Sequence, residues 1–172
     1  MKNILILLIM ILVFGLAGCA TAPHGAFVEP MSARPVAPRP DSVDFVGRNM
    51  FIWPVTGEVI FPFSAKKGRV KNKGIDINAD EGESVVASRS GKVVYLDEGF
   101  KGYGKTVILD HGNGYQTVYA YNSDILVDIG KTVNQKERIA KVGKTGRAKR
   151  ASLHFEIRKN GEPQNPLSYL PR

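Results

Sequence analysis

Five short runs rich in β-branched and aromatic residues, each bounded by a glycine-containing turn, fill most of the chain from about Phe51 onward: "GEVIFPF", "ESVVASRSGKVVYL", "GKTVILDHGNGYQTVYAY", "ERIAKVG" and "SLHFEIRKNGEP". Strand side chains alternate between faces with a period of two, and these runs keep that period while none sustains a helical one. The "HGNG" between two alternating strands puts Asn113-Gly114 at a tight hairpin turn, where both central residues need positive φ. Tight turns join antiparallel neighbours, whereas a parallel sheet needs a crossover of a dozen or more residues between strands. The expected fold is therefore mostly β and antiparallel, with "NSDIL" as the one place for a turn of helix.

The N-terminal stretch has a different texture. "MKNILILLIMILVFGLAGC" carries Lys2 and then an apolar run from Ile4 to Leu16, too short to span a bilayer, so residues 1–18 read as a signal peptide. Cys19, the only cysteine, follows Leu16-Ala17-Gly18 and so resembles the end of a bacterial lipobox. That resemblance implies cleavage before Cys19, diacylglycerol on its thiol and an acyl chain on its new amine. Several chains on one residue anchor stably, since each buried methylene adds about 0.8 kcal/mol and one chain alone holds marginally. A lone cysteine leaves no internal disulfide, so the fold must stand on its core.

Residues 19–45 form a linker with Pro23, Pro30, Pro35, Pro38 and Pro40 and little apolar periodicity. Polyproline-like chain rises roughly 3.1 Å per residue, enough here to carry a domain on the order of 70 Å from a membrane. His24 is a polar residue of this linker. The globular domain is then 46–172. The formal charge is +8, and removal of the signal takes only Lys2 with it. An exported chain does not meet nucleic acid in the ordinary course, so the basic surplus points to acidic envelope polymers or an acidic protein face.

Two stretches place polar groups at spacings that matter. In "KNKGIDINAD", Asn72 and Asp76 stand four apart with Gly74 between them. In the strand from Ser152 to Arg158, alternation puts Leu153, Phe155 and Ile157 on a core face and Ser152, His154, Glu156 and Arg158 on the other. The same rule puts Tyr115, Thr117, Tyr119 and Tyr121 on one face of their strand.

"KGIDI", "ASRSGKVVY", "GYGKTVILDHGNGYQTVYAY", "IAKVGKTGR" and "LHFEIRKNGEPQNPLSYL" together resemble the LytM, or lysostaphin-type, family of zinc endopeptidases that cleave peptidoglycan cross-links. The resemblance runs from about Gly57 to Pro171, in the family's order and spacing, and implies a single antiparallel domain with a central groove. Active members of the family bind zinc through the His and Asp of H-x-x-x-D and the second His of H-x-H. A further His, in a "YAH" context, works with the first His of H-x-H on the water and the oxyanion. Those positions fall here on Asn72, Asp76 and His154 for the metal, and on Tyr121 and Ser152 for catalysis. Three of the five are not histidine.

A catalytic zinc takes three protein ligands from imidazole, thiolate and carboxylate, with an open position for water. Asn72 offers only a neutral amide oxygen. Asp76 and His154 then remain as vestigial ligands, expected to hydrogen-bond to each other or to backbone, with no cofactor and no peptidase activity. His111 opens the "HGNG" hairpin, away from the metal position.

The resemblance is strongest to the family's lipoprotein activators, of the NlpD type, whose degenerate groove binds and activates N-acetylmuramoyl-L-alanine amidases. On that reading Asn72, Asp76, Tyr103, Tyr121, Ser152 and His154 line a partner-binding groove. Arg147, with Lys149 and Arg150, meets acidic residues beside it. The expected partners are a cell-wall amidase, peptidoglycan, and a membrane through the lipid on Cys19. Ala20, where an aspartate would favour the inner membrane of a Gram-negative cell, points to the outer one. Two alternatives are a peptidoglycan-binding module with no activator role and a weak zinc endopeptidase.

Overall fold

The computed structural model describes residues 51–67, 70–100 and 102–172. Residues 1–50, with the expected signal peptide, Cys19 and the expected linker, lie outside the described residues.

Thirteen strands follow one another among the described residues. They are β1 (Val59–Phe61), β2 (Lys66–Lys67), β3 (Val70–Lys71), β4 (Ile75–Asn78), β5 (Ser84–Val86), β6 (Gly91–Phe100) and β7 (Gly104–Asp110). Then come β8 (Tyr115–Asn122), β9 (Asp124–Ile125), β10 (Thr132–Val133), β11 (Arg138–Lys141), β12 (Ser152–Lys159) and β13 (Glu162–Gln164). One 3-10 turn, Pro166–Ser168, ends the domain, capped by the Asn165 side chain. The large sheet runs β1-β4-β12-β8-β7-β6-β10, with β13 also paired to β12; β5-β11-β9 form a second sheet and β2-β3 a hairpin. The pairings are antiparallel throughout.

The β7–β8 hairpin closes through Gly112, Asn113 and Gly114, all at positive φ, with His111 N bonded to Tyr115 O at 2.9 Å. "NSDIL" makes no helical turn. Its central residues form β9, because Asp124 and Ile125 pair with Lys141 and Ala140 of β11, and that partner outweighs a weak local preference.

Leu153, Phe155 and Ile157 are fully buried, as are Ile75 and Ile77 of the adjoining β4. They pack in one cluster with Val85 of β5 and Ile139 of β11 from the smaller sheet. His111 belongs to this interior. Its Nδ1 lies 2.9 Å from Ser90 O and must donate to it, so Nε2 of the neutral ring accepts from the Thr117 hydroxyl at 2.7 Å. Burial holds the ring neutral by lowering its pKa to about 4.

The face assignment along β8 departs from simple alternation. Tyr115 and Tyr119 pack on Phe51 and Phe155, but Tyr121 does not share their side. The β7–β8 register shifts between Lys105 and Val107, and Tyr121 adopts φ 71°. The extra residue of this bulge turns the Tyr121 ring onto the opposite face, 5.3 Å from the His154 ring.

Candidate functional site

β4 and β12 are neighbours in a register that sets Asp76 opposite His154, and β8 flanks β12 with Ala120 opposite His154. Side chains of β12 two apart share a face, so Ser152, His154, Glu156 and Arg158 line up along it. Asp76 Oδ1 lies 2.7 Å from His154 Nδ1, and Glu156 Oε1 lies 3.0 Å from His154 Nε2. The Tyr103 hydroxyl donates to Glu156 Oε1 at 2.6 Å and Arg158 Nε donates to Oε2 at 2.7 Å, with Arg158 Nη2 ion-paired to the same oxygen at 2.6 Å.

These bonds fix the protonation states. Glu156 receives three hydrogen-bond donors and the Arg158 ion pair on two oxygens and is itself fully buried, so it is a carboxylate. Burial alone would raise its pKa, but His154, Tyr103 and Arg158 together draw it down to about 2. Both ring nitrogens of His154 face carboxylate oxygens, so both carry protons and the ring is an imidazolium. Burial opposes that charge; the hydrogen bonds to Asp76 and Glu156 overcome it and raise the pKa above the usual histidine value. The four charges of Asp76, His154, Glu156 and Arg158 sum to zero, the condition under which buried ions are tolerable.

Aromatic rings cover this chain. Tyr103 meets the His154 ring edge-on at 5.3 Å, and Tyr121 leans over it at the same distance. Burial pushes the Tyr121 hydroxyl up to about 12, so both tyrosines stay neutral at physiological pH. The wall carrying them is fixed by backbone contacts: Tyr121 N bonds to Tyr103 O at 2.8 Å, and Arg147 N to Gly102 O at 3.1 Å. Gly104, at φ 63°, lies so close to the 145–146 turn that a Cβ there would stand 2.5 Å from Gly146 N.

Of the residues singled out in the sequence, the structure brings Asp76, Tyr103, Tyr121 and His154 into one cluster. Asn72 is tied to its own loop, its amide donating to Phe61 O at 3.1 Å and accepting from Gly74 N at 3.3 Å. Ser152 is buried beside the cluster, and its hydroxyl donates to Arg150 O at 3.1 Å. Arg147 is exposed on the rim. Alternation puts Glu156 on this face, and the structure adds it to the site. The signal for it was His-x-Glu-x-Arg, which stacks a base, a carboxylate and a guanidinium along one face of a strand.

A catalytic zinc takes three protein ligands; Asp76 and His154, 2.7 Å apart and with Glu156 on the second ring nitrogen, would supply two of them. Asn72, committed to backbone, does not supply the missing imidazole. These residues do not fit the ion.

The family model for Peptidase family M23 matches residues 70–166. The chain belongs to peptidase family M23. Its sequence is 41% identical over 146 residues to the lipoprotein YgeR of Escherichia coli (strain K12), covering 85% of this chain and 55% of that one. It is 38% identical over 152 residues to the murein hydrolase activator NlpD of Salmonella dublin, covering 88% of this chain and 38% of that one. The chain thus spans well under two thirds of either relative. Among solved structures, a zinc-containing peptidase from Vibrio cholerae aligns with a TM-score of 0.66 at 27% identity, over 72% of this chain and 41% of that one. The mostly β, LytM-type fold of this M23 domain is therefore shared with peptidases and with proteins named as activators.

Proposed function

We propose that this M23 domain is a non-catalytic envelope lipoprotein, anchored through Cys19, that binds and activates a peptidoglycan N-acetylmuramoyl-L-alanine amidase. The observation that carries the reading is Asn72, which stands where the family's first zinc-binding histidine would and whose amide is bonded to the backbone of its own loop at Phe61 O and Gly74 N. The names of the NlpD and EnvC relatives, murein hydrolase activators, support the same reading.

An activator works by binding the open form of its partner better than the closed form, and only that difference shifts the population. The groove face offers Tyr103 and Tyr121 over a charge-neutral, cross-strand chain that holds both rings in place. A groove fixed in this way spends little ordering free energy on binding. Outer-membrane placement facing the periplasm follows from Ala20 if the host has two membranes.

Dye release from labelled peptidoglycan, with the full-length protein alone, a cognate amidase alone, and both together, tests this. Release in the mixture well above the amidase alone is expected, with none from the protein alone. A mixture that equals the amidase alone defeats the activator reading; sedimentation with peptidoglycan would then favour a wall-binding module. Chelator-sensitive release by the protein alone would make it an endopeptidase.

A further inference from the structure

The positive charge of this chain is concentrated. Between Glu58 and Asp76 the sequence carries five basic residues and no acidic one, and between Glu137 and Glu156 six and none. Those eleven exceed the net charge of the whole chain, +8, so the remainder is net negative. The surplus therefore sits in two arms.

Both arms run up to the same point of the fold. The first passes through the β2–β3 hairpin to Gly74, where a Cβ would lie 2.9 Å from Glu156 Cγ. The second crosses the 144–150 turn, where Arg147 lays its guanidinium against Gly102, with Nε 2.5 Å from the position a Cβ would take. Gly102 precedes Tyr103, whose hydroxyl reaches Glu156 from the other side. Lys71, Lys73, Lys144, Arg147, Lys149 and Arg150 are exposed, and none of them forms an ion pair among the described residues. Arg158, at the centre, is already neutralised by Glu156.

Beside Tyr103 and Arg158 the floor changes character. A recess of about 250 Å³ is lined by Tyr95, Tyr103, Thr106, Ile108, Val118 and Arg158, mostly apolar carbon. A polyanion such as a polyphosphate would use the rims and waste the floor. A polypeptide with acidic residues flanking an apolar side chain would use both, since the apolar contact holds the complex while the charges steer it and set its register.

We infer that the two basic arms and the recess at Tyr103 and Arg158 form one recognition surface for an acidic, amphipathic polypeptide segment of the partner. This rests on the reading of the partner as a protein, and it adds the chemistry by which that protein is chosen. Charge on exposed rims acts mainly through the encounter rate and is screened by salt, whose Debye length falls from about 10 Å at 0.1 M to about 3 Å at 1 M.

The test is fluorescence anisotropy on the full-length protein, with a labelled designed peptide of leucine and glutamate in helical register, its leucine–lysine counterpart, and polyphosphate. The expected result is binding of the glutamate peptide alone, weakened at least about tenfold from 0.1 M to 1 M salt. Lys71→Glu with Lys73→Glu, and separately Lys149→Glu with Arg150→Glu, should each weaken it by about tenfold or more, while arginine-for-lysine swaps at 71, 73 and 149 leave it unchanged. Ile108→Glu should weaken it with no change in the salt dependence. Unchanged melting temperatures establish that these variants fold. Polyphosphate binding as tightly as the glutamate peptide would overturn the choice of a polypeptide, and no loss in either double reversal would overturn the arms. A positive peptide result beside an amidase that is not stimulated would remove the activator reading and leave this surface standing.

Discussion

Replacing Glu156 by glutamine tests whether the buried charge chain stabilises the groove. The change keeps volume and one acceptor, so packing is not the variable. It leaves the His154 imidazolium with one carboxylate instead of two and Arg158 with no charged partner. The depression of the Glu156 pKa from 4.5 to about 2 corresponds to about 3 kcal/mol of folded-state stabilisation at neutral pH. Breaking a buried pair by removing one member costs roughly 3 to 5 kcal/mol, so the two routes meet near 3. In a domain of this size that is a fall of about 10 °C in melting temperature.

Urea denaturation of the full-length protein and of Glu156→Gln, with equal m values, reads the difference directly. The pH dependence identifies its origin. A depressed carboxylate pKa contributes fully above the unfolded value of about 4.5 and is lost as pH falls toward 2, so the gap should shrink to about 1 kcal/mol at pH 3. The raised His154 pKa acts in the other direction: its contribution is complete below about 6.5 and is lost as pH rises through the higher folded value. The gap is therefore widest between about pH 4.5 and 6.5. A gap below about 1 kcal/mol at pH 6, or one of equal size at pH 3 and pH 6, would refute the charge chain.

Tyr121→Asn keeps a residue that tolerates positive φ while removing the ring above His154; amidase stimulation should drop at least about tenfold in dye release with the circular dichroism spectrum unchanged. Excess chelator, or an equivalent of zinc, should move the melting temperature by less than about 1 °C, because only a ligand that binds the folded state stabilises it. His111→Gln should flatten acid destabilisation. The wild-type ring stays neutral in the fold down to about pH 4 while the unfolded chain protonates near 6.5, so wild type loses about 3 kcal/mol across that window and the variant does not. Gly104→Ala should cost at least about 2 kcal/mol in urea denaturation, since the methyl group meets backbone at a left-handed position.

Much of this architecture is visible in the amino-acid sequence where local chemistry and tertiary demand agree. Asn113-Gly114 announces a hairpin because few other pairs adopt its backbone angles, and the period of Leu153, Phe155 and Ile157 fixes which face of β12 is core. Where a partner strand decides the outcome, local reading fails. β4 is four residues long beside a basic stretch and read as a polar motif; it is a strand because β1 and β12 pair with it on either side. Tyr121 changed faces through a bulge whose only trace is a register mismatch with β7. The bond from Tyr103 to Glu156 joins residues 53 apart in sequence, and no spacing rule reaches that far.

The bulge and the charge chain together bear on what this scaffold can become. Tyr121 already projects into the groove, so histidine substituted there, and at 72 and 152, would restore the lettering of a zinc site. Glu156 would then serve such a site, because a metal-ligating histidine donates its other ring N–H to a carboxylate, and Glu156 Oε1 already lies 3.0 Å from His154 Nε2. A lineage or a library walking from this sequence toward metal chemistry keeps Glu156 and Arg158 and changes only 72, 121 and 152. The charge chain that now stiffens the groove is a support left standing, on which a ligand could be rebuilt.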